Sequence, residues 1–580
     1  MRLFVLMVLC VVSLCAQNHW YVAVDGKMPD EGGTGTEANP WTLGAALKNP
    51  SALIKPGDTL WLRGGVYRGR YASTLSGTMT APIKVRPVIG ERVVLEGFIE
   101  TFTTTVIPQA AAGSNVNFLI SGGGEGFAGN LPNNNMKINV SYTPQGSTTP
   151  VEETMLFFGA DRNKIWAQRA ACSATGGVCP SFPVGTSVRA SSEYLKVAGA
   201  YTWFMGLEIQ LTQSTHVYGT GATNPPWPNF QGAVLDRCVG CKFINNVIRD
   251  SGANGIFSSS IGQGTEIYGN LVFYNGVDQL NGRGHGHGVY AQNTLNGPIK
   301  LIEDNVFFRS FGHGNQLYGT SSTYLDNFQV IGNTFFNPGE VAGGTRGGQQ
   351  FVIGDAGVFK GHVFKDNMSY ARAGAVIDIG YGGSASAPEC MSPVVTGNYL
   401  INMLNGLILK ITCSTPTITG NTVYGLVSNF SPSSYPSNTY LTSLSGQRVF
   451  VRPNRYEAGR ANITVFNWSN QDTAVVDVSS VGLVNGEGFE VKDVQDWSGP
   501  AVMSGFYGGS PITIPLGGVG VSQPFGTIAV PSIVHTPKEF SVFVIRKTNT
   551  TAPTTTPPTE PPPPTSPPCD PKGKKGNNCK

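Results

Sequence analysis

The stretch Glu303-Asp-Asn-Val-Phe307 decides the fold, because versions of it recur along the middle of the chain. In each copy a polar or small residue and an Asn precede a short apolar segment. The central asparagines are Asn246, Asn270, Asn305, Asn333, Asn367, Asn398 and Asn421. Their spacing varies between 23 and 35 residues, which is typical of one coil of a β-solenoid with loops of different length.

Two physical properties suit Asn to a repeated bend. It tolerates the left-handed backbone conformation, and its amide can hydrogen-bond the Asn of the next coil. The alternative is that Gly-Asn marks hairpin turns in an antiparallel fold. Seven copies in similar local context favour the solenoid.

The segment before the repeats predicts the beginning of such a solenoid. Pro56-Gly-Asp-Thr-Leu-Trp-Leu-Arg-Gly-Gly-Val-Tyr67 is typical of a turn and a strand, and Pro40 to Leu47 has apolar residues at helical spacing. A short helix there would cap the open end of the solenoid. We therefore expect a β-helix domain over 17–438, with an insertion at about 101–200 that consists of coils with long loops over the groove.

The two ends of the chain have different compositions. Residues 1–16 have one positive charge before an apolar run, which predicts a cleaved signal peptide and a secreted, extracellular protein. Residues 439–547 alternate between apolar and polar and predict a small β-sandwich. A Thr/Pro linker over 548–568 and a basic tail over 569–580, closed by its two cysteines, suit attachment to a matrix or cell wall.

Charge and cysteine content narrow the function. A net charge of +3 is too small to indicate a nucleic-acid partner, and no later stretch is apolar enough to span a membrane. Eight cysteines remain after the presequence, in close pairs that predict disulfides in a secreted chain. The alternative for Cys238-Val-Gly-Cys241 is a metal or redox site. The other pairs are Cys172 with Cys179, Cys390 with Cys413, and Cys569 with Cys579.

Two glycine-rich segments concentrate groups that transfer protons and bind anions. The first, over 281–293, contains Arg283, His285, His287, Tyr290 and Gln292; the second, over 311–318, contains His313, Gln316 and Tyr318. His287 and His313 are 26 positions apart, about one coil, so the two clusters should lie side by side.

Alternation along the strands predicts which side chains face outward. If the apolar residues fill the interior, one outer face carries Phe257, Tyr290, Gln292, Gln316, Tyr318, Asp378 and Lys410. The rim would carry Arg283, His285, His287 and His313. Aromatic rings suit apolar sugar faces and amides suit hydroxyls, so this face predicts a carbohydrate groove.

Each of these residues also has a structural interpretation. The histidines can be turn residues bonded to backbone, the tyrosines an aromatic ladder that stabilises stacking, and Lys410 a solvated surface residue. A zinc site on His285 and His287, with His313 or Asp278 as a third ligand, is a further alternative.

The Asn-centred coils, the segment from Pro56 to Tyr67 and the capping helix resemble right-handed parallel β-helix proteins of the pectate-lyase-like superfamily. The resemblance covers about 20–435 and implies an all-β fold. That superfamily includes polysaccharide lyases, glycoside hydrolases, epimerases and phage-type adhesins. The paired-aspartate motifs of polygalacturonases are missing, although Gly-His-Gly at 286–288 and 312–314 is similar to their histidine segment. An epimerase-type Asp-rich run is missing too, so the resemblance assigns no catalytic residue.

The favoured hypothesis is a lyase that cleaves a uronic-acid polymer by β-elimination, which needs a base, an acid and a cation for the carboxylate. His287 or His313 would be the base, Tyr290 the acid, and Arg283 or Lys410 the cation. A Ca²⁺ ion bound by Asp278 or Asp304 could replace the last.

Two alternatives remain open. A glycoside hydrolase would need two carboxylates on the groove. The available ones are Asp278, Glu303, Asp304, Glu340, Asp355 and Asp378. The other alternative is a non-catalytic solenoid that binds glycans or mediates adhesion.

Overall fold

A computed structural model of the chain describes most residues between 17 and 551. The described ranges are 17–97, 100–104, 115–119, 137–161, 164–169, 181–190, 195–211, 216–218, 232–279, 284–320, 323–342, 348–355, 357–372, 375–384, 386–530 and 532–551. The predicted signal peptide and basic tail lie outside them, as do residues 552–568 of the predicted linker, Arg283, Cys172, Cys179, Cys569 and Cys579. Residues 548–551 of that linker belong instead to the strand Phe540–Thr551.

Three long parallel sheets form the body of the molecule. The first, sheet A, has eleven strands: His19–Lys27, Thr59–Leu62, Ile83–Pro87, Thr202–Met205, Lys242–Ile244, Glu266–Tyr268, Lys300–Glu303, Phe328–Ile331, Val363–Lys365, Val394–Thr396 and Thr417–Thr419. Sheet B also has eleven: Gly65–Arg68, Val93–Gly97, Glu208–Leu211, Val247–Arg249, Leu271–Phe273, Val306–Phe308, Thr334–Phe336, Met368–Ala371, Tyr399–Asn402, Thr422–Tyr424 and Thr439–Tyr440.

Sheet C completes each coil. Its ten strands are Tyr71–Ser73, Leu195–Val197, Val234–Asp236, Ile256–Ser258, Val289–Ala291, Asn315–Tyr318, Phe351–Gly354, Ile377–Tyr381, Leu407–Ile411 and Leu426–Ser428. The chain visits A, B and C in turn and pairs each strand in parallel with its counterpart one coil later. This arrangement confirms the predicted parallel β-helix.

The asparagine ladder is the main polar feature of the turn between sheets A and B. Asn270 donates from its backbone and side-chain nitrogens to Oδ1 of Asn305, each over 2.9 Å. Asn305 donates in the same way to Oδ1 of Asn333, over 3.0 and 2.9 Å. The ladder extends beyond the seven predicted residues to Asn438, which accepts from Asn421 over 2.9 and 2.8 Å. The predicted contact between successive asparagines is confirmed.

The left-handed conformation falls one residue earlier than expected. The residues that precede the ladder asparagines have positive φ, for example 66° at Gly269, 54° at Asp304 and 65° at Gly332. The ladder residues themselves do not, because their amides must point along the solenoid toward the next coil. Gly, Asp and Asn dominate the preceding position because they tolerate this conformation best.

The interior is apolar and stacked coil on coil. Phe307, Phe335 and Phe364 follow one another at ring distances of 5.3 and 6.3 Å. One short helix, Leu43–Leu47, follows the first strand of sheet A, and its N-cap residue is Thr42. Its apolar side chains join the main core. The described 3₁₀ turns are Pro29–Glu31, Pro50–Ala52, Pro432–Ser434 and Ser479–Val481.

The insertion does not consist of additional coils. It forms a six-stranded antiparallel sheet that leaves the solenoid after Gly97 and returns at Leu195. Its strands are Glu100–Thr103, Asn115–Leu119, Lys137–Tyr142, Val151–Asp161, Lys164–Gln168 and Ser187–Ala190. The sheet has a core of its own, and a buried ion pair joins Arg169 to Glu153. The sequence prediction missed this sheet because its alternation is hidden among Thr, Gly and Asn.

The C-terminal part consists of two antiparallel sheets that share a core. The strands of the larger sheet are Gln447–Pro453, Ala461–Asn467, Glu487–Asp493, Met503–Phe506 and Phe540–Thr551; those of the smaller one are Thr473–Val476 and Ile512–Pro515. This part packs against the outer face of sheet B, where Phe540 stacks on Tyr370 at 4.4 Å and meets Phe336 at 5.2 Å.

Two of the predicted cysteine pairs are disulfide-bonded. Cys238 joins Cys241, and Cys390 joins Cys413. The second disulfide connects strands of a small parallel sheet, Phe359–Lys360, Cys390–Met391 and Cys413–Ser414, in the turn between sheets C and A. No helix among the described residues is long and apolar enough to cross a membrane.

Candidate functional site

The outer face of sheet C holds most of the predicted groove residues in register. Phe257 pairs with Tyr290, Tyr290 with Gln316, Gln316 with Val352, Val352 with Asp378, and Asp378 with Lys410. Residues paired directly in parallel strands point to the same side, so these six form one row across the sheet. Val352 is a buried member of the row that the sequence prediction missed.

Aromatic rings occupy one end of this row. The rings of Phe257 and Tyr290 lie 5.3 Å apart, those of Tyr290 and Tyr318 6.5 Å apart, and those of His287 and Tyr290 6.1 Å apart. All four side chains are half-buried. We call this group, with His313, Gln316 and Asp355, the aromatic cluster.

The two predicted histidines stack as successive rungs in the turn between sheets B and C. Their rings are nearly parallel, with centres 5.0 Å apart. The Nδ1 atom of His287 accepts the backbone N–H of His313 over 3.0 Å, and Nδ1 of His313 accepts that of Gln349 over 2.9 Å. One coil earlier, Oδ1 of Asn254 plays the same role for the N–H of His287, also over 3.0 Å.

These bonds decide the chemistry of the imidazoles. A nitrogen that accepts an N–H carries no proton, so the neutral ring holds its proton on Nε2. Such a ring donates a hydrogen bond from Nε2. It can take a second proton only on Nδ1, where that proton would break the bond with the backbone N–H. The bonds to the backbone thus disfavour the role of base that was predicted for His287 or His313.

We expect the hydrogen bond that His287 accepts from the backbone of His313 to matter for stability, and the imidazole ring itself not to. His287→Ala leaves the buried N–H of His313 without an acceptor, which should lower the free energy of unfolding by about 1–2 kcal/mol. His287→Asn supplies the acceptor that Asn254 already supplies one coil earlier, so its stability should stay close to wild type. Chemical denaturation of the two variants tests this; equal losses would show that the bond contributes little.

Tyr318 and Asp355 form a second polar pair on this face. The Tyr318 hydroxyl donates to Oδ2 of Asp355, which directly follows the strand Phe351–Gly354. This hydrogen bond, with burial and the negative charge of Asp355, raises the pKa of Tyr318 to about 12. Asp355 is exposed and has a positive φ of 63°. Among the described residues it has no ion-pair partner.

Tyr290 is also held as a neutral phenol. Burial raises its pKa, and a hydrogen bond with Gln292 offsets part of that effect. Gln292 itself is nearly buried, and its Nε2 donates to the backbone oxygen of Tyr318 over 3.2 Å. The amide of Gln292 thus hydrogen-bonds within the protein, to Tyr290 and to the backbone of Tyr318, instead of lining an open groove.

Asp378 and Lys410 form an ion pair at the other end of the row. Lys410 Nζ lies 3.0 Å from Asp378 Oδ2. Burial raises the pKa of Asp378, while the Lys410 ammonium acts in the opposite direction. Four strand spacings separate Lys410 from Tyr290, roughly 19 Å. The two residues therefore cannot act on the same glycosidic bond.

Several predicted ligands and carboxylates lie away from the face. His285 is buried in a small three-stranded sheet, where it pairs antiparallel with Val277. Asp304 pairs with Arg452 over 2.7 Å under the C-terminal part, Glu303 pairs with Arg455, and Glu340 with Arg309. These carboxylates are engaged by arginines and lie outside the row on sheet C, so the structure does not bring Glu303, Asp304 or Glu340 together with the aromatic cluster.

The predicted metal sites are not assembled. Asp278 is fully buried in the strand Val277–Gln279. Within the described ranges, which include His285, His287, His313 and Asp278, no group of three His, Cys, Asp or Glu side chains converges as metal binding would require. The metal alternative for Cys238 and Cys241 does not hold either, because their sulfur atoms are joined to each other.

The sequence prediction placed Asp355 only among the available carboxylates and did not identify Asn254 or Gln349. A signal for Asp355 was present: it stands just after a glycine at the end of a strand, one coil after Tyr318. Such a position holds an exposed carboxylate at the edge of the face.

Comparisons with known proteins find similarity only among solved structures. No family model matches the chain, and no curated protein is similar to it. A complex of XylC with xylose is 12% identical and covers 81% of this chain and 91% of its own, with a TM-score of 0.36. Pectate lyase Pel9A is 12% identical and covers 70% and 80%, with a TM-score of 0.35. A rhamnogalacturonan lyase is 12% identical over 70% and 72%, with a TM-score of 0.27. The strand pairings, and not these similarities, establish the fold.

Proposed function

We propose that the protein is a secreted polysaccharide lyase that cleaves a uronic-acid-containing polymer on the outer face of sheet C. The observation that carries this proposal is the Tyr318–Asp355 pair beside the half-buried phenol of Tyr290. Asp355 supplies a carboxylate base, and Tyr290 supplies a neutral acid whose ring lies 6.5 Å from that of Tyr318.

The reaction follows from the protonation states. The Asp355 carboxylate takes the C5 proton of a uronate unit, and the electron pair forms the C4–C5 double bond as the bond to the glycosidic oxygen breaks. Tyr290, a neutral phenol whose pKa burial raises further, donates its proton to that leaving oxygen. Tyr318 holds the Asp355 carboxylate in place.

The remaining residues bind and orient the polymer. His287 and His313 donate from Nε2 toward the uronate carboxylate, whose negative charge grows as the C5 proton leaves. Phe257 stacks on an apolar sugar face. Lys410 binds the carboxylate of a more distant uronate unit, about 19 Å along the row from Tyr290.

A glycoside hydrolase is the second candidate, favoured by one observation. Burial raises the pKa of Asp378, as a general acid requires, while Asp355 provides a second carboxylate on the same face. The backbone of Asp355 bonds to that of Tyr381, three residues beyond Asp378. The two aspartates are therefore roughly 11 Å apart at the backbone. In glycosidases the two carboxyl groups themselves are about 5–9.5 Å apart.

The test is a screen of the purified protein on polygalacturonate, alginate, a glycosaminoglycan and neutral polysaccharides, with and without EDTA. We expect ultraviolet absorbance from unsaturated uronate ends together with new reducing ends on at least one acidic polymer. Reducing ends without absorbance would contradict the lyase and favour the hydrolase. Binding without either signal would favour a glycan-binding or adhesion solenoid.

A further inference from the structure

A second cluster of aromatic rings and cations lies on a different face, at the N-terminal end of sheet A. Tyr21 pairs with Trp61 and Trp61 with Arg86, while Trp203 pairs with both Lys84 and Lys242. Direct pairing in parallel strands places these side chains on one side of the sheet. We call the following residues the N-terminal patch: Tyr21, Trp61, Lys84, Arg86, Trp203 and Lys242.

The cations of the patch lie against its rings. The Arg86 guanidinium is 5.3 Å from the ring centre of Trp61, and the ammonium groups of Lys84 and Lys242 are 5.8 and 4.8 Å from that of Trp203. These distances suit cation–π attraction. The three cations and the two tryptophans are all half-buried, so part of each side chain remains open to solvent.

Two contacts fix the rings. The indole N–H of Trp61 donates to Nδ1 of His19 over 3.0 Å, and Trp203 meets the ring of Tyr456 edge-on at 5.5 Å. Two strand spacings and two residues separate Trp61 from Trp203, about 12 Å. The patch thus presents two oriented indoles on a sheet instead of mobile surface side chains.

The charge of the patch is not neutralised locally. Lys242 pairs with Glu266 over 2.9 Å, but Lys84 and Arg86 form no ion pair with any described residue. A ligand that fits must offer apolar faces to the indoles and anionic groups to the two cations. A polymer of uronic acid units offers both, since each pyranose ring has an apolar face and each unit has a carboxylate.

We propose that the N-terminal patch is a second binding surface for an acidic polysaccharide, which holds the polymer without cleaving it. This inference does not depend on the activity proposed for sheet C, because the patch lies on another sheet. Only binding is assigned to the patch, because the phenol–carboxylate pair beside it, Tyr456 with Glu266, is engaged by the cations of Lys242 and Arg455.

Affinity electrophoresis of the full chain tests the patch. Gels contain polygalacturonate or neutral hydroxyethylcellulose, and Asp355→Asn is present throughout to prevent cleavage of the polymer. We expect Lys84→Gln/Arg86→Gln, and separately Trp61→Ala, to weaken retention by polygalacturonate about fivefold to tenfold. The control Lys360→Gln/Lys365→Gln also removes two exposed cations, but no aromatic contact of either lysine is found among the described residues, and it should leave retention unchanged.

Three results would overturn the proposal. If the patch variants and the control were retained equally, the patch would not be a binding surface for the polymer. Equal retention by the neutral polymer would show that the ligand need not be acidic, and tighter binding of a single-stranded RNA homopolymer would contradict the polysaccharide assignment. Loss of turnover on short soluble oligosaccharides in patch variants that carry an intact Asp355 would place the patch in the catalytic site. Thermal melting of each variant excludes unfolding as the cause.

Discussion

Asp355→Asn should lower kcat on the acidic polymer by about 10²–10⁴-fold, the range expected when a general base is lost. The substitution keeps the size of the side chain and removes only its basicity. The exposed position and the positive φ of 63° both tolerate Asn, so the fold should be unchanged. The measurement is the initial rate of absorbance increase at saturating substrate, with the thermal midpoint determined in parallel.

Asp366→Asn is a matched control for this variant. Asp366 also has a positive φ, 53°, and is half-buried, but it lies in the turn between sheets A and B, away from the aromatic cluster. We expect its kcat to equal that of wild type. If Asp355→Asn retained full activity, Asp355 would not be the base, and the assignment of the whole aromatic cluster would have to be revised.

Asn305→Ala should destabilise the fold more than His287→Ala or any of the binding-surface substitutions. Its Oδ1 accepts two bonds from Asn270, and its Nδ2 donates to Asn333 and to the backbone oxygen of Ile267 over 2.9 Å each. Alanine removes all four and leaves the buried N–H of Asn270 without an acceptor. Because an unsatisfied buried group alone costs about 1–3 kcal/mol, we expect a loss of about 3 kcal/mol in the free energy of unfolding.

Urea denaturation measures this loss. Asn18→Ala, at an exposed asparagine outside the ladder, should change stability by less than about 0.5 kcal/mol. A loss for Asn305→Ala no larger than that of the control would show that the ladder contributes little and that stacking of the apolar interior holds the coils together.

The sequence predicted the solenoid well because its signal is repeated. Each copy of the Asn motif has the same neighbours, so variable loops do not hide it, and alternation then places Phe257, Tyr290, Gln316 and Lys410 on one face. The prediction for the insertion failed for the opposite reason: its antiparallel sheet occurs once, and its partners are distant along the chain.

The site was harder to predict because its chemistry depends on hydrogen bonds between coils. Nothing in the sequence indicates that Nδ1 of His287 accepts a backbone N–H, yet that bond changes the imidazole from a base to a donor. Similarly, the distance between Tyr290 and Lys410 depends on how many coils separate them. The strands of Val352 and Asp378 are two of those that lie between them. Residues predicted on one face can thus be too far apart to share a reaction.

The most direct measurement of the central claim is hydrogen exchange of the protein with and without the oligosaccharide products of its preferred polymer. We predict slower exchange in the sheet C strands Val289–Ala291, Asn315–Tyr318 and Ile377–Tyr381 and in the adjoining turn with His313. The Lys84→Gln/Arg86→Gln variant should show the same slowing of exchange on sheet C as the wild-type protein. Protection confined to sheet A or to the C-terminal part, with none on sheet C, would contradict the account.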